Sequence, residues 1–246
     1  MPALSRYEKI HMLEEDNVTI ITLSDPGSDN ALSDQLLEEL CDAVTRVTTS
    51  VLLLTADGKD FSIGRPPQSY AASLDTLTHG YSLVMRANEL LLDFPGVTIA
   101  AVRGRARGAG CSLAARCDLV LASETATFSF PELRAGVPPV IVGSYFSRKL
   151  PWHAFLDLVL TGREVSAAEA QRLFLVTEVV PDHDLSERAL QLARNLASLD
   201  AQTVATFKRF LHSSEGATTR QANRLGYATL LEALTNRPTS VEGGPR

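Results

Sequence analysis

The sequence predicts an α/β fold in which a mixed or parallel sheet is covered by helices. In the first half of the chain, short apolar runs typical of buried strands alternate with longer segments whose apolar residues recur at helical spacing. In the second half, helical spacing dominates. Because parallel strands need long crossover connections, the alternation places the sheet in the first half. The helical second half is expected to pack on that sheet, on a neighbouring subunit, or on both.

The first half begins with a predicted hairpin, with strands over 7–13 and 17–23 around the turn sequence EEDN. Ser33 is the predicted N-cap of the first helix, since the apolar residues after it follow helical spacing. Leu74 and the apolar residues that follow it in a later helix are expected in the core. The other elements of this half are predicted as a strand over 51–56, a helix over 73–93, a strand over 97–102, a loop, a short helix from 110 and a strand over 118–123.

The second half is predicted to contain one strand among its helices. The strand is the apolar sequence LVTEVV at 175–180. The predicted helices span 142–150, 152–160, 167–173, 184–197, 202–212 and 218–235.

Composition and charge exclude several classes of protein. The net charge of −6 does not favour nucleic acid as a partner. Three cysteines without short Cys-x-x-Cys spacing, and five histidines without ligand spacing, predict neither a disulfide framework nor a metal site. No stretch is apolar enough for a secretory signal or a membrane span, so we expect a cytoplasmic protein without a membrane partner.

Two glycine-containing loops that follow strands are candidate binding sites. In GRARGAG, the small residues Gly108, Ala109 and Gly110 stand at a helix start, where uncovered backbone N–H groups can hold an anion or an oxyanion. In FSIGRPPQS, Gly64 can turn the chain so that the N–H of Arg65 points inward. The alternatives are a strand-to-helix turn for the first loop and a rigid surface loop for the second.

Glu132 is the candidate proton carrier. It follows the apolar sequence FSFP, and burial among Phe128, Phe130 and Leu133 would raise its pKa and suit it to proton transfer. The alternative is a glutamate that merely stabilises a helix start behind Pro131. Taken alone, this alternative is the simpler interpretation.

Taken together and in order, these segments resemble the crotonase family, the enoyl-CoA hydratase/isomerase superfamily, over nearly the whole chain. The loop motif F-[SC]-x-G, the glycine-rich helix start and the F-x-x-P-E segment of that family all have counterparts here. The matching sequences are NALS at 30–33, DFSIG at 60–64, AAVRGRARGAGCSLAARCDLVLAS at 100–123, FSFPEL at 128–133 and LTGREVSAAEAQRLFLVTEVVP at 160–181.

The resemblance implies a spiral of ββα units with a helical C-terminal region, divided as a core over 1–190 and a trimerisation region over 191–246. It implies a homotrimer or homohexamer. It also implies an acyl-CoA substrate, with coenzyme A as part of that substrate and no separate cofactor.

The resemblance also assigns roles to individual residues. The backbone N–H groups of Arg65 and Ala109 would polarise the thioester carbonyl and stabilise an enolate, and Glu132 would move the proton. Binding positions carried over in the same way are Ser62 and Ile63 near the adenine, Gly64, Gly108 and Gly110 in the loops, and Lys208 near a phosphate of coenzyme A.

Ser112 departs from the family's hydratases, which carry a glutamate at this position beside the one matched by Glu132. A single carboxyl group suffices to move a proton between two carbons, so the sequence favours isomerase-like chemistry. Hydration stays open, since the Ser112 hydroxyl could orient a water. Val140 stands where the family's dienoyl-CoA isomerases carry an aspartate, which disfavours that reaction.

Arg65 leaves one alternative open, since its guanidinium could recognise a carboxylate of the substrate, which would suit a decarboxylase or a dicarboxylic thioester. Hydrolysis of the thioester on the same scaffold is a related alternative. The alternative from another class is a family member that has lost its acid at position 112 and binds acyl-CoA or a partner protein without turnover.

Overall fold

The computed structural model describes residues 7–66 and 73–236, and contacts group the chain into two compact units, Met1–Ala197 and Ser198–Arg246. The boundary expected after residue 190 lies inside a helix, Leu185–Ala197, which packs on strands of the first unit. The predicted trimerisation role of residues 191–246 remains a prediction. Among the described residues, no helix is long and apolar enough to cross a membrane.

Within these residues, the first unit contains a six-stranded sheet with the order β1-β2-β3-β4-β6-β9. Only the β1–β2 hairpin is antiparallel, and every other neighbouring pair is parallel. The alternation of strands and helices therefore predicted the mixed sheet correctly. The six strands are β1 (Ile10–Glu15), β2 (Val18–Leu23), β3 (Val51–Ala56), β4 (Val97–Val102), β6 (Leu119–Ser123) and β9 (Glu178–Val180).

A second, three-stranded sheet was not predicted. It consists of β5 (Arg105–Arg107), β7 (Thr127–Ser129) and β8 (Val165–Ser166), in that order. β5 lies inside the glycine-rich segment that the sequence predicted as a loop. Three residues between glycines carry too little periodicity to be recognised as a strand, and here pairing with β7 makes them one.

Helices cover both faces of the large sheet. On five of the six strands, β2, β3, β4, β6 and β9, residues of opposite faces belong to two separate apolar clusters. The smaller cluster includes Leu185, Ala189 and Ala193 of the helix Leu185–Ala197. The helices of this unit are α1 (Asp34–Arg46), α2 (Leu74–Asp93), α3 (Ala109–Arg116), α4 (Val140–Lys149), α5 (Trp152–Thr161), α6 (Ala167–Arg172) and α7 (Leu185–Ala197).

Helix starts follow the predicted capping. The Ser33 hydroxyl accepts a hydrogen bond from the N–H of Leu36 at the start of α1. Leu74, expected in the core, is instead 77% exposed, because it stands in the first turn of α2 before that helix reaches the apolar cluster.

The second unit contains α8 (Ala201–Ser213) and α9 (Thr219–Thr235), which contact each other. α9 starts with a capping box in which Thr218 and Gln221 bond to each other's backbone. Many of the large apolar side chains of these helices are exposed: Phe207, Leu211, Leu225, Tyr227, Leu230, Leu231 and Leu234.

Candidate active site

The loop after β3 is held in place by the segment that precedes α1. The Asn30 side chain donates a hydrogen bond of 2.8 Å to the carbonyl of Asp60, and the Ser62 hydroxyl donates one of 2.7 Å to the carbonyl of Asn30. The N–H of Gly64 donates to the Ser62 hydroxyl, and the carbonyl of Gly64 accepts from the N–H of Leu32. These bonds give the NALS and DFSIG sequences a physical role, since the NALS segment holds the DFSIG loop in place. Ser62, expected near the adenine of coenzyme A, is fully buried.

Gly64 brings this loop against the start of α3. Its φ is +81°, a conformation that favours glycine. A Cβ at this position would lie 2.5 Å from the carbonyl oxygen of Arg107 and 3.2 Å from the backbone nitrogen of Ala109. Gly110 makes a second close approach, since a Cβ there would lie 2.6 Å from the carbonyl oxygen of Ser62. The two glycine loops of the sequence therefore meet.

Two backbone donors at this meeting point are unused. In the part of the chain that the structure describes, the N–H groups of Arg65 and Ala109 donate to no protein acceptor. Gly108, the N-cap of α3 with a φ of +51°, donates instead to the carbonyl of Ser129. Ala109 thus begins the helix with its N–H at the positive end of the helix dipole.

The Glu132 carboxyl group lies beside the same helix start. It opens a short 3-10 helix, Glu132–Ala135, and a Cβ on Gly108 would be 3.0 Å from its Oε1. Its Oε2 is buried and has no hydrogen-bond partner among the described residues. Burial raises the pKa of Glu132. A carboxyl group with one buried, unpartnered oxygen is suited to exchange a proton with a bound molecule.

Ser112, in the first half of α3, is buried and engaged in hydrogen bonds. Its hydroxyl donates to Oδ1 of Asn88 on α2 at 3.1 Å and is also bonded to the hydroxyl of Tyr145 on α4. Neither partner could be predicted from a local sequence pattern, because Asn88 and Tyr145 lie on other helices far along the chain. The catalytic role of Ser112 remains a prediction.

The Arg65 side chain points into the protein. Its guanidinium donates to the carbonyl of Leu32 at 2.6 Å and forms an ion pair of 2.7 Å with Asp34, and the side chain is 6% exposed. A Cβ on Gly80 of α2 would lie 2.3 Å from its Nη2. Because this charge is already paired, the structure does not favour the alternative in which Arg65 recognises a carboxylate of the substrate. A glycine in the interior of α2 is the one sequence signal that could have indicated this packing.

Three further positions were singled out in the sequence, and they differ in burial. Ile63 is half-buried, and its N–H donates to the carbonyl of Asp29 at 3.3 Å. Lys208 is a buried residue of α8 in the second unit. Val140 is exposed at the start of α4. No cluster of three or more His, Cys, Asp or Glu side chains that could hold a metal ion occurs among the described residues.

Comparisons with known proteins identify the class to which this fold and site belong. Residues 14–244 match the sequence profile of the enoyl-CoA hydratase/isomerase family. A probable enoyl-CoA hydratase of Mycobacterium tuberculosis is 34% identical over 209 residues, which cover 82% of this chain and 80% of the relative. The 2,3-dehydroadipyl-CoA hydratase of Escherichia coli is 32% identical over 240 residues, which cover 92% and 91% of the two chains.

Solved structures agree with the sequence comparison. Human enoyl coenzyme A hydratase domain-containing protein 3 superimposes with a TM-score of 0.89 at 26% identity, over 94% of this chain and 93% of the other. A putative enoyl-CoA hydratase of Thermobifida fusca, solved in complex with CoA, gives a TM-score of 0.84 at 27% identity over 92% and 93% of the two chains. The chain is an enzyme of the enoyl-CoA hydratase/isomerase family and has the crotonase fold, as its sequence motifs predicted.

Proposed function

We propose that this enzyme acts on acyl-CoA thioesters through an enolate, with Glu132 as its single proton carrier. The observation that carries the proposal is the unpartnered, buried Oε2 of Glu132 beside a helix start that offers the unused N–H of Ala109. The N–H of Arg65 supplies the second donor from the neighbouring loop. Two backbone donors aimed at one oxygen stabilise the negative charge that develops there.

Isomerisation of a 3-enoyl thioester is the reaction that one carboxyl group supports best. The Glu132 carboxylate removes a proton from C2, and the electron pair moves into the thioester carbonyl to form the enolate. The electrons then return to form the C2–C3 double bond, the C3–C4 double bond takes up the proton at C4 from Glu132, and the carboxylate is restored. No other proton donor is needed.

Coenzyme A as part of the substrate is supported by the Thermobifida fusca relative, whose structure was solved in complex with CoA. In this chain, we propose that the loop of Ser62, Ile63 and Gly64 lies near the adenine and that Lys208 contacts a phosphate. Gly108 would leave space for the thioester between the helix start and the Glu132 carboxyl group, while Gly110 would act indirectly, by letting the Ser62 loop close against the helix.

Mass spectrometry of acyl-CoA thioesters incubated with the enzyme in heavy water tests the proposal. The panel contains 2-enoyl, 3-enoyl, saturated, malonyl-type and cyclic dienoyl thioesters, and each is also incubated with the Glu132→Gln variant. We expect deuterium uptake and migration of the 3-enoyl double bond, both lost in the variant while thioester binding persists. Lost carbon dioxide or free CoA would indicate the alternative reactions. Unchanged turnover in the variant would sink the role of Glu132.

We also propose that the enzyme assembles as a homotrimer or homohexamer. The exposed apolar side chains of α8 and α9 support this proposal, because a monomer that exposes them to water is disfavoured.

A further inference from the structure

The hydrogen bonds around Ser112 use its hydroxyl proton, so that this proton is not free for a substrate. Ser112 has one hydroxyl proton, and it is donated to Oδ1 of Asn88. The Tyr145 hydroxyl must then be the donor in its bond with Ser112. The Asn88 amide donates onward to the carbonyl of Val84 in its own helix at 2.8 Å. The chain therefore runs from Tyr145 through Ser112 and Asn88 to the backbone of α2.

All three side chains that these hydrogen bonds link are buried. Ser112 is 1% exposed, Asn88 4% and Tyr145 7%. The Tyr145 ring is packed from two sides, with the Arg116 guanidinium 4.1 Å from its centroid and the Phe146 ring at 4.5 Å. Burial raises the pKa of Tyr145, so the phenol stays neutral.

Hydration of a 2-enoyl thioester makes a demand that this arrangement does not meet. Water must lose one proton to a base as its oxygen bonds to C3, and C2 must receive one proton from an acid. Glu132 can serve one of these steps. In the family's hydratases the second group is the glutamate that stands at the position of Ser112. Here Ser112 has its proton committed, and the Tyr145 hydroxyl is bonded to it.

We propose that Tyr145, through its bond to Ser112, closes the position at which a second acid would hold water, and so restricts the enzyme to one-carboxyl chemistry. The proposal rests on the proposed enolate chemistry. Under it, Tyr145 is a specificity-determining residue that the sequence did not reveal. A glutamate at position 112 alone would not restore hydration, because its longer side chain would run into Oδ1 of Asn88 and the hydroxyl of Tyr145, which both already contact the Ser112 hydroxyl.

The test measures, for each protein, the ratio of water addition to deuterium exchange on matched 2-enoyl and 3-enoyl thioesters. The proteins are the wild type, Ser112→Glu, Tyr145→Ala and the double variant Ser112→Glu/Tyr145→Ala. We expect the ratio to stay low in the first three and to rise about 10²-fold or more in the double variant, as general acid–base catalysis typically supplies. Tyr145→Ala is the matched control that opens the space without adding an acid.

Three results would overturn the proposal. These are water addition by the wild type at a rate near that of exchange, an equal gain in Ser112→Glu alone, and a folded double variant that exchanges deuterium but adds no water. If the double variant does not fold, Ser112→Glu/Tyr145→Leu keeps an apolar side chain in the core and takes its place. Failure of the proposed function would be seen separately, as absence of Glu132-dependent exchange in the wild type.

Discussion

The burial that would suit Glu132 to proton transfer also has a cost to stability. The residue is half-buried, its Oε2 is buried without a partner among the described residues, and burial raises the pKa of the carboxyl group. The folded protein therefore favours the protonated form. The free energy of unfolding therefore has its full value, as far as Glu132 affects it, below the pKa of a glutamate in the unfolded chain. It falls as the pH rises through the raised pKa of Glu132 in the folded state.

We therefore expect Glu132→Gln to stabilise the protein at neutral pH, since the neutral amide avoids burying a charge. The gain should shrink as the pH falls towards 4, where the wild-type carboxyl group is also neutral. Thermal unfolding of both proteins across this pH range measures the effect. Glu124→Gln, at an exposed position, is the control and should show no such pH-dependent gain. Destabilisation by Glu132→Gln at every pH would contradict the argument.

The same pKa shift is expected to affect activity in the opposite direction, so that activity rises with pH where stability falls. The carboxylate is the form that removes a proton, so deuterium exchange should fall as the pH drops through the raised pKa of Glu132. The acid limb of kcat/KM for exchange is expected above the ordinary pKa of a glutamate. A limb at or below that ordinary value would show that Glu132 is not the group being titrated.

At the scale of elements, the site depends on the approach of the loop after β3 to the start of α3. Gly64→Ala would place a Cβ 2.5 Å from the carbonyl oxygen of Arg107 at a φ of +81°, so the loop must move away. Because the N–H of Arg65 moves with it, we expect exchange to fall about 10²–10³-fold, as when one oxyanion donor is lost. Gly27→Ala, where no atom lies within 4 Å of the new Cβ, is the control. Equal effects of both substitutions would refute the role of the approach.

The packing of Arg65 against α2 predicts that Gly80→Ala has opposite effects on stability with and without the Arg65 side chain. Gly80→Ala in the wild type should destabilise the protein by about 1–3 kcal/mol, since the new Cβ would lie 2.3 Å from the Arg65 guanidinium. In an Arg65→Ala background that clash is gone, and the one close atom left, Oδ1 of Asp34 at 2.9 Å, ends a side chain that is released from its ion pair and can turn away. Alanine is then about 1 kcal/mol better than glycine in a helix interior. There, Gly80→Ala should stabilise the protein. Denaturant unfolding of the wild type, the two single variants and the double variant measures both effects. A change of stability in the same direction in both backgrounds would contradict the prediction.

The sequence predicted most elements because their apolar spacing is a local property. The strands of the large sheet and the cap of α1 at Ser33 were identified in this way. β5 was missed because three residues show no period, and pairing with β7 decides their conformation. In the site, the glycines and Glu132 were visible as local patterns. The partners of Ser112 and of the Arg65 guanidinium were not, because they lie on other helices and only tertiary packing brings them there.

At the scale of the whole molecule, the exposed apolar residues of α8 and α9 predict self-association. We expect light scattering after size exclusion to give the mass of a trimer or hexamer. Replacing Leu230 and Leu234, which are 55% and 52% exposed on α9, by glutamate should shift the mass towards the monomer, because charges would be buried at the interface. The control pair is Arg220→Glu and Arg224→Glu, polar positions of the same helix. A wild-type monomer, or an unchanged mass in the leucine variant, would argue against this interface.

The bonded trio of Asn88, Ser112 and Tyr145 also constrains how such a sequence can change over time. Loss of any one member leaves a buried polar partner without its bond, at a cost of about 1–3 kcal/mol. Single replacements are therefore penalised, while coordinated replacements of partners are not. Among descendants of this chain, the three positions should covary, although they lie on three different helices and are at least 24 residues apart along the chain.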